Sequence, residues 1–205
     1  MSAECPVCGG GELVEHAQRP GALCLTCGAL ERHRALARSQ AHLMADGRER
    51  RALEIGPLSP RVFGDFLRER GWIYTSVDQS RNGNARDPRA VGFIDFEADA
   101  CDLSAFSDAS LQLVMAQHVI EEIVDYERAL AEISRVLTAG GHALLEIPFD
   151  AARVRSERQD ADGFGNVWRF GADLPDVVRG HFDGLGIEEM AEGVYASHLL
   201  VCRKA

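Results

Sequence analysis

Short apolar segments recur through the middle of the chain, and each is followed by polar residues and then by a helical spacing of apolar positions. The segments are residues 51–55, 72–77, 91–94 and 111–115. Strands that alternate with helices in this way form parallel sheets, whose carboxyl ends open on one edge. A nucleotide-like ligand binds at that edge in a doubly wound sheet, so the pattern predicts an α/β fold with such a site.

Length and composition set the outer bounds on the fold. The chain has 205 residues, of which 46% are hydrophobic, and this suffices for one α/β domain with a small appendage. No apolar run approaches the roughly 18 residues that span a bilayer, and the first residues lack the basic and apolar regions of a signal peptide. We therefore expect a cytoplasmic protein with no membrane association.

The net charge of -10 is unevenly distributed along the chain. Residues 1–50 contain six acids and six arginines, so residues 51–205 carry the whole excess of negative charge. An acidic main domain repels the phosphate backbone of a nucleic acid, which argues against a nucleic-acid partner without excluding a local basic patch.

Four of the six cysteines form two Cys-x-x-Cys pairs. The pairs are Cys5 with Cys8 and Cys24 with Cys27, separated by 15 residues. This spacing is typical of a structural zinc site with four thiolate ligands, which leaves no open coordination position for catalysis. The alternatives are a redox dithiol, which usually uses a single pair, and a disulfide framework, which needs an oxidising compartment. His16 and His33 are candidate additional ligands, with surface or interface histidines as the favoured interpretation.

Residues 29–45 combine helix-favouring residues with apolar positions at helical spacing, which predicts one linking helix. Its arginines could contact a phosphate or an acidic substrate, although a solvated helix face toward the acidic domain is the favoured interpretation. These arginines are Arg32, Arg34 and Arg38. We therefore divide the chain into a zinc-ribbon-like segment with four cysteines (1–28), a linking helix (29–50) and a main domain (51–205).

The spacing within the main domain supports a nucleotide site. After the first strand, the turn 56–60 leads into a helix that Gly71 ends, and the next strand delivers Asp78. Asp78 lies 22 residues beyond Gly56, close to the ~20 residues between a nucleotide-binding turn and its ribose-binding acid. The other predicted elements are a loop at 79–90, helices at 126–137 and 172–182, and strands at 142–147, 186–190 and 195–202, the last two forming an antiparallel pair.

Four motifs in this region together resemble class I S-adenosylmethionine-dependent methyltransferases. The motifs are Leu53-Glu-Ile-Gly56, Asp99-Ala-Cys-Asp-Leu103, His118-Val-Ile-Glu-Glu122 and Arg135-Val-Leu-Thr-Ala-Gly-Gly141. The resemblance covers about residues 51–148 and implies a three-layer, Rossmann-like methyltransferase fold with a mostly parallel, seven-stranded sheet behind a small zinc-ribbon hairpin. The cysteine pairs with residues 28–34 are similar to a bacterial subgroup that is often associated with glycan or secondary-metabolite pathways.

The resemblance also implies a site for S-adenosylmethionine. At the methionine part of the ligand, Glu54 would hold the turn and the amino group, and Gln117 would lie alongside. The backbone at Gly56 would lie against the ligand. Asp78 would bind the ribose hydroxyls, and Asp99 and Ala100 would bind adenine. Each acid could instead be a helix cap or a solvated strand end. His118 is the first candidate for a catalytic base because the ordinary histidine pKa is about 6.5, and it could equally cap or pack beside the cofactor.

Two further features concern turnover and the acceptor. The turn 56–60 reads Gly-Pro-Leu-Ser-Pro, whereas the family's turn is usually Gly-x-Gly-x-Gly, so a member that has kept the fold but lost methyl transfer is an alternative. Residues 150–168 follow the strand at 142–147 on the ligand edge and predict a lid or loop on the substrate side. Arg155 and Arg169 are candidate ligands for an anionic acceptor such as a carboxylate or a sugar phosphate.

We therefore expect methyl transfer from S-adenosylmethionine to the oxygen, nitrogen or carbon of a small molecule, such as a sugar or secondary-metabolite intermediate. The expected cofactors are S-adenosylmethionine and a structural Zn²⁺ ion. The alternatives are an RNA-base methyltransferase with an amino-terminal zinc finger, and a zinc-ribbon adaptor whose methyltransferase-like domain does not turn over.

Overall fold

The computed structural model describes residues 4–45, 47, 49–79 and 94–205. Most of the predicted loop at 79–90 and of the predicted strand at 91–94 therefore lies outside the described residues. Within the described ranges, no helix is both long enough and apolar enough to cross a membrane.

The amino-terminal part is an antiparallel hairpin followed by two short helices. The elements are β1 (Leu13–His16), β2 (Arg19–Cys24), α1 (Glu31–Ser39) and α2 (Ala41–Met44). The predicted single helix over 29–45 is interrupted at Gln40, which adopts φ -109° and ψ 21°. Gln40 is buried and its side-chain amide donates to a Glu188 carboxylate oxygen at 2.6 Å. This hydrogen bond connects the junction of α1 and α2 to the main domain.

The main domain is built around a seven-stranded sheet with helices on both sides. Its elements are β3 (Arg51–Ile55), α3 (Pro60–Arg68), β4 (Ile73–Asp78), β5 (Phe96–Glu97), β6 (Leu111–Gln117), α4 (Tyr126–Val136), β7 (Leu137–Glu146), β8 (Glu157–Arg158), β9 (Trp168–Arg169), α5 (Leu174–Arg179), β10 (Gly184–Glu192) and β11 (Tyr195–Arg203). The strand order is β10-β11-β7-β6-β3-β4-β5. The strands from β7 to β5 pair in parallel, and β11 pairs antiparallel with both β7 and β10. The predicted α/β fold with a mostly parallel sheet and an antiparallel final pair is confirmed.

The junction between α4 and β7 differs from the prediction. Leu137 already pairs with Leu111 of β6, and the next pair is Leu113 with His142. The intervening residues 138–141 therefore form an irregularity within β7, which starts at Leu137 and not at residue 142 as predicted. The helix itself ends at Val136, one residue before its predicted end, and pairing with β6 satisfies the backbone groups that follow it.

Buried apolar residues pack on both faces of the sheet. On one face, Leu130 of α4 and Val178 of α5 belong to the same cluster. On the other face, Leu36 of α1 and Phe63 of α3 share a cluster that also includes Cys24. The cysteine segment is thus packed into the core of the main domain.

Candidate cofactor site and cysteine cluster

A cavity of about 870 Å³ opens at the carboxyl ends of β3, β4 and β6. Six residues predicted to bind cofactor or act in catalysis line it, namely Glu54, Gly56, Asp78, Ala100, Gln117 and His118. Parallel strands end on the same edge of a sheet, so side chains that are distant in sequence converge there. Asp99 is not among the lining residues, although its neighbours Ala98 and Ala100 are.

Glu54 is buried at the end of β3, with 4% of its surface exposed. Its carboxyl group forms a hydrogen bond with the Tyr74 hydroxyl on the adjacent strand β4. Burial raises the pKa of Glu54 to about 8, because the Tyr74 hydrogen bond and the charge of Arg32 only partly offset the loss of hydration. Glu54 is therefore largely protonated at neutral pH and can donate a hydrogen bond.

The turn after β3 requires glycine at its first position. Gly56 has φ 59°, in the left-handed region, and its N–H donates to the Val77 carbonyl oxygen at 2.8 Å. A Cβ atom at Gly56 would lie 2.7 Å from Cγ2 of Val119, which is too close for carbon atoms. The next two residues, Pro57 and Leu58, also line the cavity, so the turn has one glycine where the family pattern has several.

The two acids predicted to bind the adenosine differ in their surroundings. Asp78 ends β4 and lines the cavity, and its Oδ1 accepts from the Gln79 N–H at 2.6 Å. Asp99 accepts from the Cys101 N–H at 2.8 Å and forms an isolated bridge with Asp102, so it stabilises a tight turn. Asp78 is therefore the better placed of the two acids to bind a ligand.

His118 lies between two buried carboxylates. Its Nδ1 is 3.0 Å from Oε1 of Glu121, and its Nε2 is 3.1 Å from Oε1 of Glu146. Burial disfavours the charged ring, but the hydrogen bonds to the two carboxylates outweigh this effect and raise the pKa of His118 to about 9. The ring is therefore protonated at neutral pH, and it has no lone pair with which to accept a proton. The arrangement favours the capping or packing interpretation of His118 over the catalytic base.

Sequence reasoning does not identify two other members of this network, Glu146 and Tyr195. Glu146 is fully buried, and one of its oxygens accepts from Nε2 of Gln117 at 2.8 Å. Glu146 is an acid at the end of a predicted strand, as Glu54 is, so the same pattern could have identified it as a site residue. The Tyr195 hydroxyl is 3.4 Å from Nε2 of His118 although the two residues are 77 positions apart, and no local pattern places Tyr195 there.

The amino-terminal segment contributes one wall of the cavity through Arg19, Arg32 and His33. Nδ1 of His33 accepts from the Leu30 N–H at 3.0 Å. Burial, together with neighbouring positive charges, lowers the pKa of His33 well below its ordinary value, so the ring is neutral. Among the described residues, neither His33 nor His16 belongs to the cysteine cluster, and the hypothesis of additional ligands gains no support.

Arg34 is buried, with 2% of its surface exposed, so it is not part of a solvated helix face as the favoured interpretation held. Its guanidinium donates to three backbone carbonyl oxygens of the preceding segment, those of Gly21, Ala22 and Ala29. It also pairs with Glu192 at 3.3 Å, and Arg38 pairs with the same carboxylate. Arg34 therefore holds the hairpin, α1 and the end of β10 together.

Residues 150–168 reach the cavity through Phe164, Gly165 and Asn166. The segment is anchored by the Val167 N–H, which donates to the Glu121 carbonyl oxygen at 2.9 Å. Neither Arg155 nor Arg169 is among the residues that line the cavity, and Arg169 lies opposite Glu157 in the antiparallel pairing of β9 with β8. The segment flanks the site as predicted, while the structure does not bring the two arginines to it.

The cysteines of the two pairs form a compact cluster. All four sulfur atoms lie within 4.8 Å of one another. The Sγ–Sγ distance is 3.8 Å between Cys5 and Cys27 and 3.7 Å between Cys8 and Cys24. A tetrahedral zinc ion with Zn–S bonds of about 2.3 Å separates its sulfur ligands by about 3.8 Å, so the cluster fits a four-thiolate zinc site.

Two similar turns present these sulfur atoms. The Gly9 N–H donates to the Cys5 carbonyl oxygen at 2.7 Å, and the Gly28 N–H donates to the Cys24 carbonyl oxygen at 2.8 Å. Both glycines have left-handed φ values, 72° and 76°, which explains why a glycine follows each pair. The hydrogen bond with the Cys27 thiol lowers the pKa of Cys5 below its ordinary value.

Residues 53–145 match the family described as methyltransferase domain. This match identifies a methyltransferase domain in the central part of the chain, over less than half of its residues. The matched range includes β3, β4 and β6, whose ends form the cavity. None of the curated proteins has a sequence that matches this chain.

Solved structures share the fold of this methyltransferase domain at low sequence identity. The 1,6-didemethyltoxoflavin-N1-methyltransferase of Burkholderia thailandensis has a TM-score of 0.61 and 18% identity, over 83% of this chain and 76% of its own. A SAM-dependent methyltransferase of Archaeoglobus fulgidus has a TM-score of 0.60 and 13% identity, over 83% and 92%. The cyclase SpnF has a TM-score of 0.62 and 16% identity, over 84% and 81%, so the same fold also occurs in a protein with another activity.

Proposed function

We propose that this chain transfers a methyl group from S-adenosylmethionine to a small-molecule acceptor. The observation that carries the proposal is the convergence of Glu54, Asp78 and Gln117 on one cavity at the strand ends of a methyltransferase domain. The cavity of about 870 Å³ falls within the ~300–1,000 Å³ that is typical of small-molecule sites.

The residues at this edge are suited to the cofactor. The carboxylate of Asp78 can accept hydrogen bonds from both ribose hydroxyls, and the turn at Gly56 lets the backbone approach the ligand closely. Protonated Glu54 and the side chain of Gln117 lie at the neighbouring strand ends. The cofactor supplies an activated methyl group on a sulfonium sulfur, and the protein's part is to align the acceptor with it and exclude water.

His118 has a positioning role in this proposal. Its protonated ring holds the carboxylates of Glu121 and Glu146, and Glu146 in turn holds the amide of Gln117. The positive ring offsets the negative charge of two carboxylates that are otherwise costly to bury. We therefore do not assign the removal of a proton from the acceptor to His118.

We also propose that Cys5, Cys8, Cys24 and Cys27 bind a structural zinc ion. The spacing of the sulfur atoms supports this assignment, and a site filled by four protein ligands has no open position for substrate. The ion would join the turn that holds Cys5 and Cys8 to the end of β2, the strand that carries Arg19 of the cavity wall. Metal analysis should give one zinc per chain. The boundaries 1–28, 29–50 and 51–205 and the cytoplasmic location stay predictions.

Transfer of a labelled methyl group tests the proposed reaction. The full chain, purified with its metal, is incubated with methyl-labelled S-adenosylmethionine and with either the small-molecule fraction or the RNA fraction of a cell extract. We expect label in a small molecule. Label found only in RNA would support an RNA-base methyltransferase instead.

A binding protein without turnover is the second candidate, and one observation favours it. Pro57 and Leu58 line the cavity at the turn where the family pattern has glycines, so the cofactor meets a stiffer and bulkier backbone there. Measurable binding of S-adenosylhomocysteine combined with no label in either fraction would support this candidate over methyl transfer.

A further inference from the structure

The charges that line the cavity differ between the parts of the chain that contribute them. The main domain supplies four acids, Glu54, Asp78, Glu121 and Glu122, of which Glu54 is largely protonated and Glu121 is paired with the protonated His118. The amino-terminal segment supplies Arg19, Arg32 and the neutral His33, and no acid from its described residues. The main-domain lining, which is the acidic side, is therefore suited to cationic groups through Asp78 and Glu122, and the two arginines are suited to anionic groups.

The charged groups of the cofactor can pair with the acidic side and with one of the two arginines. Its sulfonium and ammonium groups are cations, and its single carboxylate is an anion. Arg32 lies close enough to Glu54 to lower the pKa of that residue, which places Arg32 near the methionine end of the proposed cofactor site. Arg19 then has no counterpart in the cofactor.

Arg19 begins β2 and is oriented by a buried acid. Its Nη2 is 3.4 Å from Oε2 of Glu31, whose side chain is 3% exposed. Its Nε is buried and has no hydrogen-bond partner among the described residues. A guanidinium presents five N–H donors in a fork that matches a carboxylate or a phosphate, so the ion pair with Glu31 leaves donors available to a ligand.

Phe164 provides an apolar surface in the same cavity. Its side chain lines the cavity although 78% of its surface is exposed. An aromatic ring in this position can stack against the body of a planar ligand. The cavity therefore offers an aromatic surface as well as a cationic one.

We propose that Arg19, in the amino-terminal wall of the cavity, belongs to the acceptor site, and that the acceptor carries an anionic group, a carboxylate or a phosphate, bound by this residue. The inference rests on the proposed methyl transfer and deepens it by naming the chemical class of the acceptor. It gives the cysteine segment a direct part in binding the substrate.

Benzoate and phenyl phosphate are suitable probes, with benzamide as their neutral counterpart. Binding of each is measured by NMR titration of the zinc-loaded full chain saturated with S-adenosylhomocysteine. We expect one of the two anions to bind about tenfold more tightly than benzamide, and the preferred anion identifies the group on the acceptor. Equal affinity for all three probes would overturn the proposal, and this comparison needs no variant.

Substitutions isolate the contribution of Arg19. Arg19→Gln should weaken the preferred anion about tenfold without changing the affinity for S-adenosylhomocysteine, and Arg19→Lys should restore part of the loss. Arg179→Gln is the matched control, because Arg179 is 53% exposed, pairs with Asp176 and does not line the cavity. Zinc content and circular dichroism confirm that each variant is folded.

Two results with Arg19→Gln would contradict the assignment. One is unchanged affinity for the anion, and the other is a loss of affinity for S-adenosylhomocysteine, which would place Arg19 at the cofactor. Failure of the wild-type chain to bind S-adenosylhomocysteine at all would instead refute the proposed function, so the two proposals fail in distinguishable ways.

Discussion

The cysteine cluster and the cavity are held together in different ways. In the cluster, turns at Gly9 and Gly28 set the sulfur atoms through local backbone hydrogen bonds. The cavity is assembled from strand ends, a hairpin and a loop that are far apart in sequence, and its charged groups depend on one another. We therefore expect the loss of one cysteine ligand to abolish zinc binding by the whole cluster. A single substitution around the cavity should instead change one property, such as stability or cofactor affinity, and leave the others.

The largest effect should follow loss of a cysteine ligand. Zinc binding supplies an apparent ~10–16 kcal/mol in small zinc domains, so Cys24→Ser should abolish the zinc content and lower the midpoint of thermal unfolding by about 10 °C or more. Cys101→Ser is the control, since Cys101 is partly exposed and outside the cluster. An unchanged zinc-to-protein ratio in Cys24→Ser would contradict the site.

The next effect concerns the connection between the two regions. Arg34→Met removes the donors to three carbonyl oxygens and leaves Glu192 without its buried partner. Breaking a buried pair costs about 3–5 kcal/mol, which urea unfolding would measure. Arg38→Gln removes an exposed partner of the same Glu192 carboxylate and should cost about 0–1 kcal/mol. Similar losses in the two variants would show that Arg34 does not hold the regions together.

Alanine substitutions at Gly193 and Gly56 distinguish the cost of a left-handed backbone conformation from the cost of crowding at the cavity. Gly193 has φ 62° with open space where a Cβ atom would lie, whereas a Cβ atom at Gly56 would meet Val119. Gly193→Ala should cost about 1–2 kcal/mol for the left-handed conformation. Gly56→Ala should cost about 1–3 kcal/mol more because of crowding, and it should also weaken S-adenosylhomocysteine binding. Equal unfolding free energies and unchanged binding would refute the role given to Gly56.

These regions also differ in how far the sequence predicts them. The cysteine cluster and the strand-end residues Glu54 and Asp78 follow from local spacing, because a short motif or a strand's direction is enough to place them. The positions of Arg19 and Tyr195 depend on how distant segments pack, and no local pattern encodes that packing. The same limit explains why the acceptor role predicted for Arg169 gained no support, since charge in a loop does not determine where the loop lies.

A further effect is a pH dependence of stability at His118. The pKa of His118 is raised from 6.5 to about 9 in the folded protein. The stabilisation is therefore complete below pH 6.5, the ordinary pKa, and is lost as the pH rises through about 9. Wild-type protein should lose unfolding free energy between about pH 7 and 9.5 relative to His118→Gln. NMR titration of the ring should agree, and an apparent pKa near 6.5 would contradict the charged network.

The central claim is that the strand ends bind S-adenosylmethionine through the carboxylate of Asp78. Calorimetry with S-adenosylhomocysteine tests it most directly, comparing Asp78→Asn with Asp176→Asn, whose parent side chain is 82% exposed and outside the cavity. Charge-assisted hydrogen bonds to the ribose are worth about 1.5–3 kcal/mol, so Asp78→Asn should weaken binding about 10- to 100-fold while the control binds like wild type. Undiminished binding by Asp78→Asn would contradict the claim.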